Sequence, residues 1–131
     1  MGDFGADANA RAKDICRILK DDLSVINWPG KVEKLSSNSD GFGVLSIQIA
    51  KDISIKTWNN ALSDSLERTL IDPSSAIFHQ AVVLKEGQKV TFGGQFMPSK
   101  TDCIHESSLT LDGSLTKPEF IFRFSNIAPA E

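Results

Sequence analysis

No apolar run in this chain approaches the roughly 18–20 residues that a membrane-spanning helix needs, so no membrane insertion is expected. The N-terminal stretch Met1-Gly2-Asp3-Phe4-Gly5-Ala6-Asp7-Ala8 is acidic and small and lacks the basic-then-apolar pattern of a secretory signal. The expectation is a cytoplasmic chain, or a soluble domain excised from an envelope protein. Positive charge is in deficit: 14 Lys and Arg stand against 17 Asp and Glu, for a formal net charge of −3. General nucleic-acid binding works by counterion release and needs a basic excess, so the balance argues against it while leaving room for a local basic groove. Cysteine is scarce. Cys16 and Cys103 are too few for a disulfide framework, and their low density favours free, partly buried thiols over a pair.

Several catalytic signatures are also missing. There is no CxxC, so the paired arms of a structural zinc site are absent from the sequence. There is no G-x-S-x-G elbow, and only two histidines, His79 and His105, are on hand as bases. Gly41-Phe42-Gly43 and Gly93-Gly94 lack the strand, spaced glycines and helix start of a phosphate loop, and turn and bulge duty accounts for both. Neither an internal repeat nor a low-complexity tract occurs.

What the sequence does contain is one globular domain's worth of patterned residues. Its length of 131 residues with 40% hydrophobic content suffices for one core over residues 1–131 without metal or disulfide help. Residues 1–8 read as flexible. Over 9–23, Ala12, Ile15, Cys16, Leu19 and Leu23 recur at three- and four-residue steps and predict an amphipathic helix that packs on a sheet. Asn27-Trp28-Pro29-Gly30 reads as punctuation, with Trp28 in the core beneath that helix. Strands are predicted at 31–35, 44–49 and 53–58, separated by the turn ending in Asp40-Gly41 and by Lys51-Asp52. Leu45, Ile47, Ile49, Ile53 and Ile55 share their inner face. Residues 63–68 suggest a short helix. A second helix starts from an N-cap at Ser74 or Ser75 and runs to about Leu84, burying Ile77, Phe78, Ala81 and Leu84. A fourth strand covers 89–96 with a bulge or bend at Gly93-Gly94, and a fifth covers 120–124 with three Phe on one side. Within the long polar stretch 97–118, Ser108-Leu109-Thr110 is a possible extra strand.

This order predicts an all-β fold with added helices: a five-stranded Greek-key barrel with an N-terminal helix and a helix between strands three and four, spanning 27–127. The alternatives are an open α+β sheet with both helices on one face and, with a poorer match, an SH3-like barrel. Leu84-Lys85-Glu86-Gly87-Gln88-Lys89-Val90-Thr91-Phe92-Gly93-Gly94 resembles the segment with which many OB-folds open their fourth strand, and Trp28-Pro29-Gly30-Lys31-Val32 resembles the bend of their first. More narrowly, Lys56-Thr57-Trp58-Asn59-Asn60, Ser107-Ser108-Leu109-Thr110 and 118–124 resemble phrases of an uncharacterised bacterial OB-like (tRNA-anti-like) domain family. That resemblance implies a barrel and carries over no functional residue.

The outer face of strands two and three is the usual ligand platform of an OB-fold. Strict alternation places Ser54, Lys56 and Trp58 on it, with Lys56 and Trp58 offering one charge and one stacking surface. Phe42 on the 36–43 hairpin and Lys100 on the 97–118 loop would flank the same groove. The competing reading packs Trp58 under the insertion at 59–73. Cys103-Ile104-His105-Glu106 is the one compact set of metal-capable or catalytic side chains, with Cys16 and His79 as isolated additions, and a polar loop with one buried thiol explains it as well. Asp21-Asp22 are neighbours on a helix and cannot flank a substrate. The resulting expectation is a non-enzymatic binding module with no metal and no cofactor. A protein partner ranks first, single-stranded nucleic acid second and an oligosaccharide third; a small hydrolase or metal-dependent enzyme using Cys103, His105 and Glu106 is the reading from another class.

Overall fold

The computed structural model of the chain describes residues 16–17, 23–98, 104 and 119–130. Five strands carry the architecture: β1 (Ser24–Ser37), β2 (Gly43–Ala50), β3 (Ile53–Lys56), β4 (Lys89–Phe96) and β5 (Glu119–Pro129). Two short helices, α1 (Ala61–Asp64) and α2 (Ala76–Ala81), lie in the β3–β4 connection. The strands pair in the order β1-β2-β3-β5-β4 and close back onto β1 as a barrel. Every pairing is antiparallel except β3 with β5, which is parallel. Closure leaves no sheet edge, so the open α+β sheet is excluded as the arrangement.

The first strand is twice as informative as its sequence suggested. Trp28-Pro29-Gly30 reads as a terminator, yet β1 runs straight through it. The reason is a change of partner. Residues 24–31 follow β4, residues 31–37 follow β2, and Lys31 is paired with both Lys89 and Gln48. A strand that serves two neighbours must bend sharply, and bulges supply the bend. One lies between Val25 and Trp28, where Asn27 adopts φ 55°, and another between Val32 and Lys34. Gly30 is required at the bend because a Cβ there would stand 2.4 Å from Ile47 Cγ2. Trp28 is half-buried and meets the Phe96 ring edge-on at 6.0 Å between centroids.

The β1–β2 and β2–β3 hairpins form as their turn residues predict. Asn38 Oδ1 accepts the backbone N–H groups of Asp40 and Phe42, and Gly41 supplies a φ of 86°. Leu45, Ile47 and Ile55 are fully buried, while Ile49 and Ile53 pack partly buried beside a register shift between Gln48 and Ala50. In β4 the expected bulge falls between Gly93 and Gly94, and a Cβ on Gly94 would collide with the Arg123 carbonyl oxygen at 2.1 Å. The core centres on phenylalanine. Phe122 meets Phe92, Phe96 and Phe124 edge-on at 5.5, 5.0 and 4.8 Å, the arrangement that ring quadrupoles favour.

β3 stops at Lys56 rather than reaching residue 58. Thr57 ends it: its N–H donates to the Leu45 carbonyl, its hydroxyl donates to the Trp58 carbonyl, and the next N–H, of Trp58, turns away to Thr69 Oγ1. The first helix begins earlier than residue 63 because Asn60 is its N-cap, its side chain accepting from the Ser63 N–H. The second is capped by Ser75 and ends at Ala81, before the β-branched pair Val82-Val83. It sits on the end of β5, where Gln80 Oε1 accepts the Ile127 N–H.

The expected N-terminal helix lies mostly outside the described residues; Cys16 and Arg17 within it are helical. The expectation of free thiols is corrected, because Cys16 is disulfide-bonded and packs partly buried against the core. Cysteine density limits how many bridges a chain can hold, but says nothing about which sulfurs the fold brings together. The possible strand at 108–110 lies outside the described residues. No helix among the described residues is long and apolar enough to cross a membrane.

Candidate functional site

Alternation on β2 and β3 turns one set of side chains to the core and the other outward. The outward set is laid side by side by the pairings Ser46 with Lys56 and Gln48 with Ser54. The Ser46 hydroxyl donates to Glu33 Oε1 at 2.7 Å across the β1–β2 seam. The Lys56 ammonium donates to Glu119 Oε1 at 3.4 Å across the β3–β5 seam. Lys34, exposed, is paired with Ser46. The face is therefore polar and mixed in sign. Ser54 lies at the register the alternation requires but is 7% exposed, so it contributes less surface than its position suggests.

Trp58 follows β3 and is half-buried. Its indole N–H donates to Glu67 Oε1 at 2.6 Å, and its backbone N–H donates to Thr69 Oγ1 at 2.8 Å. Both partners belong to the segment after α1, so the insertion does fold against this side chain. That segment is organised by Asp64, which is buried. Its Oδ1 accepts the Thr69 N–H and hydroxyl at 2.6 and 2.7 Å, and its Oδ2 accepts the Leu70 N–H at 2.9 Å. The segment then lies over β5, where the Arg123 guanidinium donates twice to the Glu67 carbonyl. Phe42, half-buried, closes the β1–β2 hairpin, next to the bridge that Gly43 makes with Ile71. Ser54, Lys56 and Trp58 are thus successive outward positions along β3 and its continuation, Phe42 stands on the hairpin at the end of β2 nearer Trp58, and Lys100 lies outside the described residues.

A second feature adjoins this face and was not visible in the sequence. Where β1 leaves β2 to join β4, Pro29 and Gly30 part from Ile49 and Ala50, and a cleft of about 540 Å³ opens between them. Lys31, Lys51 and Lys89 rim it, with Gln48 linking it to the β2–β3 face. Among the described residues that line it, none is acidic. All three lysines are exposed, and among the described residues none has an ion-pair partner. They are 20 or more positions apart in sequence, save what the barrel register does to them: Lys31 is paired with Lys89 directly and with Gln48 on its other side. Only the partner change at Lys31 would have revealed the cluster beforehand.

The metal and hydrolase candidates Cys103, His105 and Glu106 lie outside the described residues. Cys16 is committed to a disulfide, and His79 is exposed on α2 with its ring edge-on to Phe78 at 6.2 Å. Among the described residues no group of three His, Cys, Asp or Glu is placed to hold a metal ion. Asp72 has its carboxyl held below the ordinary value by the Ser74 backbone N–H, and further by the Ser74 hydroxyl. Both bonds fix the turn before α2 and engage no neighbouring catalytic group.

No protein-family model matches this chain, and neither a curated protein nor a solved structure does.

Proposed function

We propose that this chain is a non-enzymatic binding module of the OB type, which engages a protein partner on the outward face of β2 and β3. The strand order β1-β2-β3-β5-β4, the parallel β3–β5 contact and the helix in the β3–β4 connection support the Greek-key barrel plan of that fold. The observation that carries the choice of partner is the mixed sign of the face: Glu33, Lys34, Lys56 and Glu119 are set beside one another. A phosphate backbone calls for one sign of charge, whereas alternating charge suits the complementary pattern of another protein surface. The rings support the same choice, since the phenylalanines of β4 and β5 are interior and the Trp58 indole is bonded to Glu67. The Cys16 disulfide favours an oxidising compartment for the work.

The test is a photo-crosslinking amino acid placed at Lys56, with a control at His79 on α2, in cells of the source organism. A discrete protein adduct from position 56 that is absent from position 79 is the expected result. An absence of any adduct from position 56 refutes the reading. Single-stranded nucleic acid or an oligosaccharide on the same face is the second reading, favoured by the half-buried Trp58 ring beside Lys56. It requires quenching of tryptophan emission by short single strands or sugars at low salt, lost in Trp58→Ala. The hydrolase reading draws no support from the described residues.

A further inference from the structure

We propose that the cleft between Pro29-Gly30 and Ile49-Ala50 receives an acidic peptide segment of the partner; this rests on the binding-module reading and gives the partner's chemistry. The charge argument comes first. Lys31, Lys51 and Lys89 converge on one opening, with no acidic residue among the described lining and no ion-pair partner for any of them among the described residues. On the adjoining face Lys56 is matched by Glu119. Three like charges brought together repel one another, and a complementary anion relieves that repulsion. The chain as a whole is acidic at −3, so the cluster is a local reversal of sign.

The floor decides which anion. Besides the lysines, the lining presents the exposed Pro29 and Ala50 and the half-buried Ile49, and no aromatic ring is among the described lining residues. Bases of a single strand gain their affinity by stacking on rings, which this floor does not offer. Aliphatic side chains interspersed with carboxylates gain from both layers: apolar contact below and ammonium contact at the rim. The cleft also meets the proposed face through Gln48, which is paired with Ser54, so one partner can occupy both.

The experiment is fluorescence anisotropy with a short fluorescein-labelled peptide of glutamate, aspartate and leucine. A second peptide replaces the acids by glutamine and asparagine, and a labelled oligothymidylate of similar length is the third probe. Expected is saturable binding of the acidic peptide alone, weakened about two- to fivefold by each of Lys31→Gln, Lys51→Gln and Lys89→Gln, as single exposed pairs allow. The three together weaken it on the order of thirtyfold, while Lys85→Gln, outside the cleft, leaves it unchanged. Circular dichroism establishes that each variant is folded. Equal acidic-peptide binding in the triple variant overturns the assignment of the cleft. Tighter binding of oligothymidylate, lost in the triple variant, overturns the assignment of the occupant. A flat titration with the acidic peptide overturns the inference; with a position-56 protein adduct still formed, the binding-module reading stands, and without one it falls too.

Discussion

Replacing Asp64 tests how the segment over Trp58 is held. This carboxylate is 6% exposed and accepts three hydrogen bonds, two from backbone N–H groups at Thr69 and Leu70 and one from the Thr69 hydroxyl. The hydroxyl is itself the acceptor for the Trp58 N–H, so Asp64 orients the group that receives β3's continuation. Among the described residues no buried side-chain polar atom lacks a partner. Asp64→Ala leaves the buried Thr69 N–H and the partly buried Leu70 N–H without acceptors, at about 1–3 kcal/mol for a buried donor and less for the other. A total loss of about 3 kcal/mol is expected, with Tm lower on the order of 10 °C. Asp64→Asn keeps the acceptor toward Thr69 but turns an amide donor to the Leu70 N–H, and costs about half as much. Urea denaturation followed by far-ultraviolet circular dichroism gives the global change. Tryptophan emission, read in a Trp28→Phe background so that Trp58 alone reports, shows whether the segment opens before the barrel. A change below about 0.5 kcal/mol in Asp64→Ala, the range of an ordinary surface substitution, refutes the reasoning.

Three further outcomes follow from other parts of the molecule. Phe122→Ala removes the ring that touches Phe92, Phe96 and Phe124, and a loss of about 3–5 kcal/mol is expected in urea denaturation, large against a total of about 5–15 kcal/mol. Thiol labelling of the unreduced, denatured chain, read by peptide mass mapping, should leave Cys16 unmodified, and its labelling without prior reduction refutes the bond. Ser74→Ala removes the hydroxyl bonded to Asp72 and should raise that carboxyl toward its ordinary value in a carbon-detected NMR titration. The sign for stability is that of a depressed acid: whatever the Asp72 bonds contribute is present above its unfolded value and lost as pH falls through the lower folded one.

The barrel was readable where each residue answers to one neighbour at a time. The alternation of Leu45, Ile47 and Ile55, the Gly93-Gly94 bulge and the Ser75 cap are local matters, and local chemistry decides them. The failures share a cause. Pro29 and Gly30 carry the mark of a break only if β1 has one partner; with two, the same residues are what a bent strand needs. Trp58 alternates correctly with Lys56 yet leaves the strand, because Thr69 and Glu67, 11 and 9 positions further along, compete for its two N–H groups. The Cys16 bond likewise depends on which surfaces closure brings together.

The same reasoning explains why the candidate site was only half legible. Net charge is an average over the chain, and an average of −3 says that a general polyanion binder is a poor fit without saying where cations gather. Lys31, Lys51 and Lys89 are each unremarkable in sequence, flanked by Val32, Asp52 and Gln88 with no basic run. They become one rim only because Lys31 occupies the residue at which β1 changes partner. Had β1 begun only after Gly30, as its composition suggests, the change of partner at Lys31 and the gap between Gly30 and Ile49 would not exist. The bend that closes the barrel is thus the same feature that opens the cleft, and a variant that straightened β1 would lose fold and basic rim together.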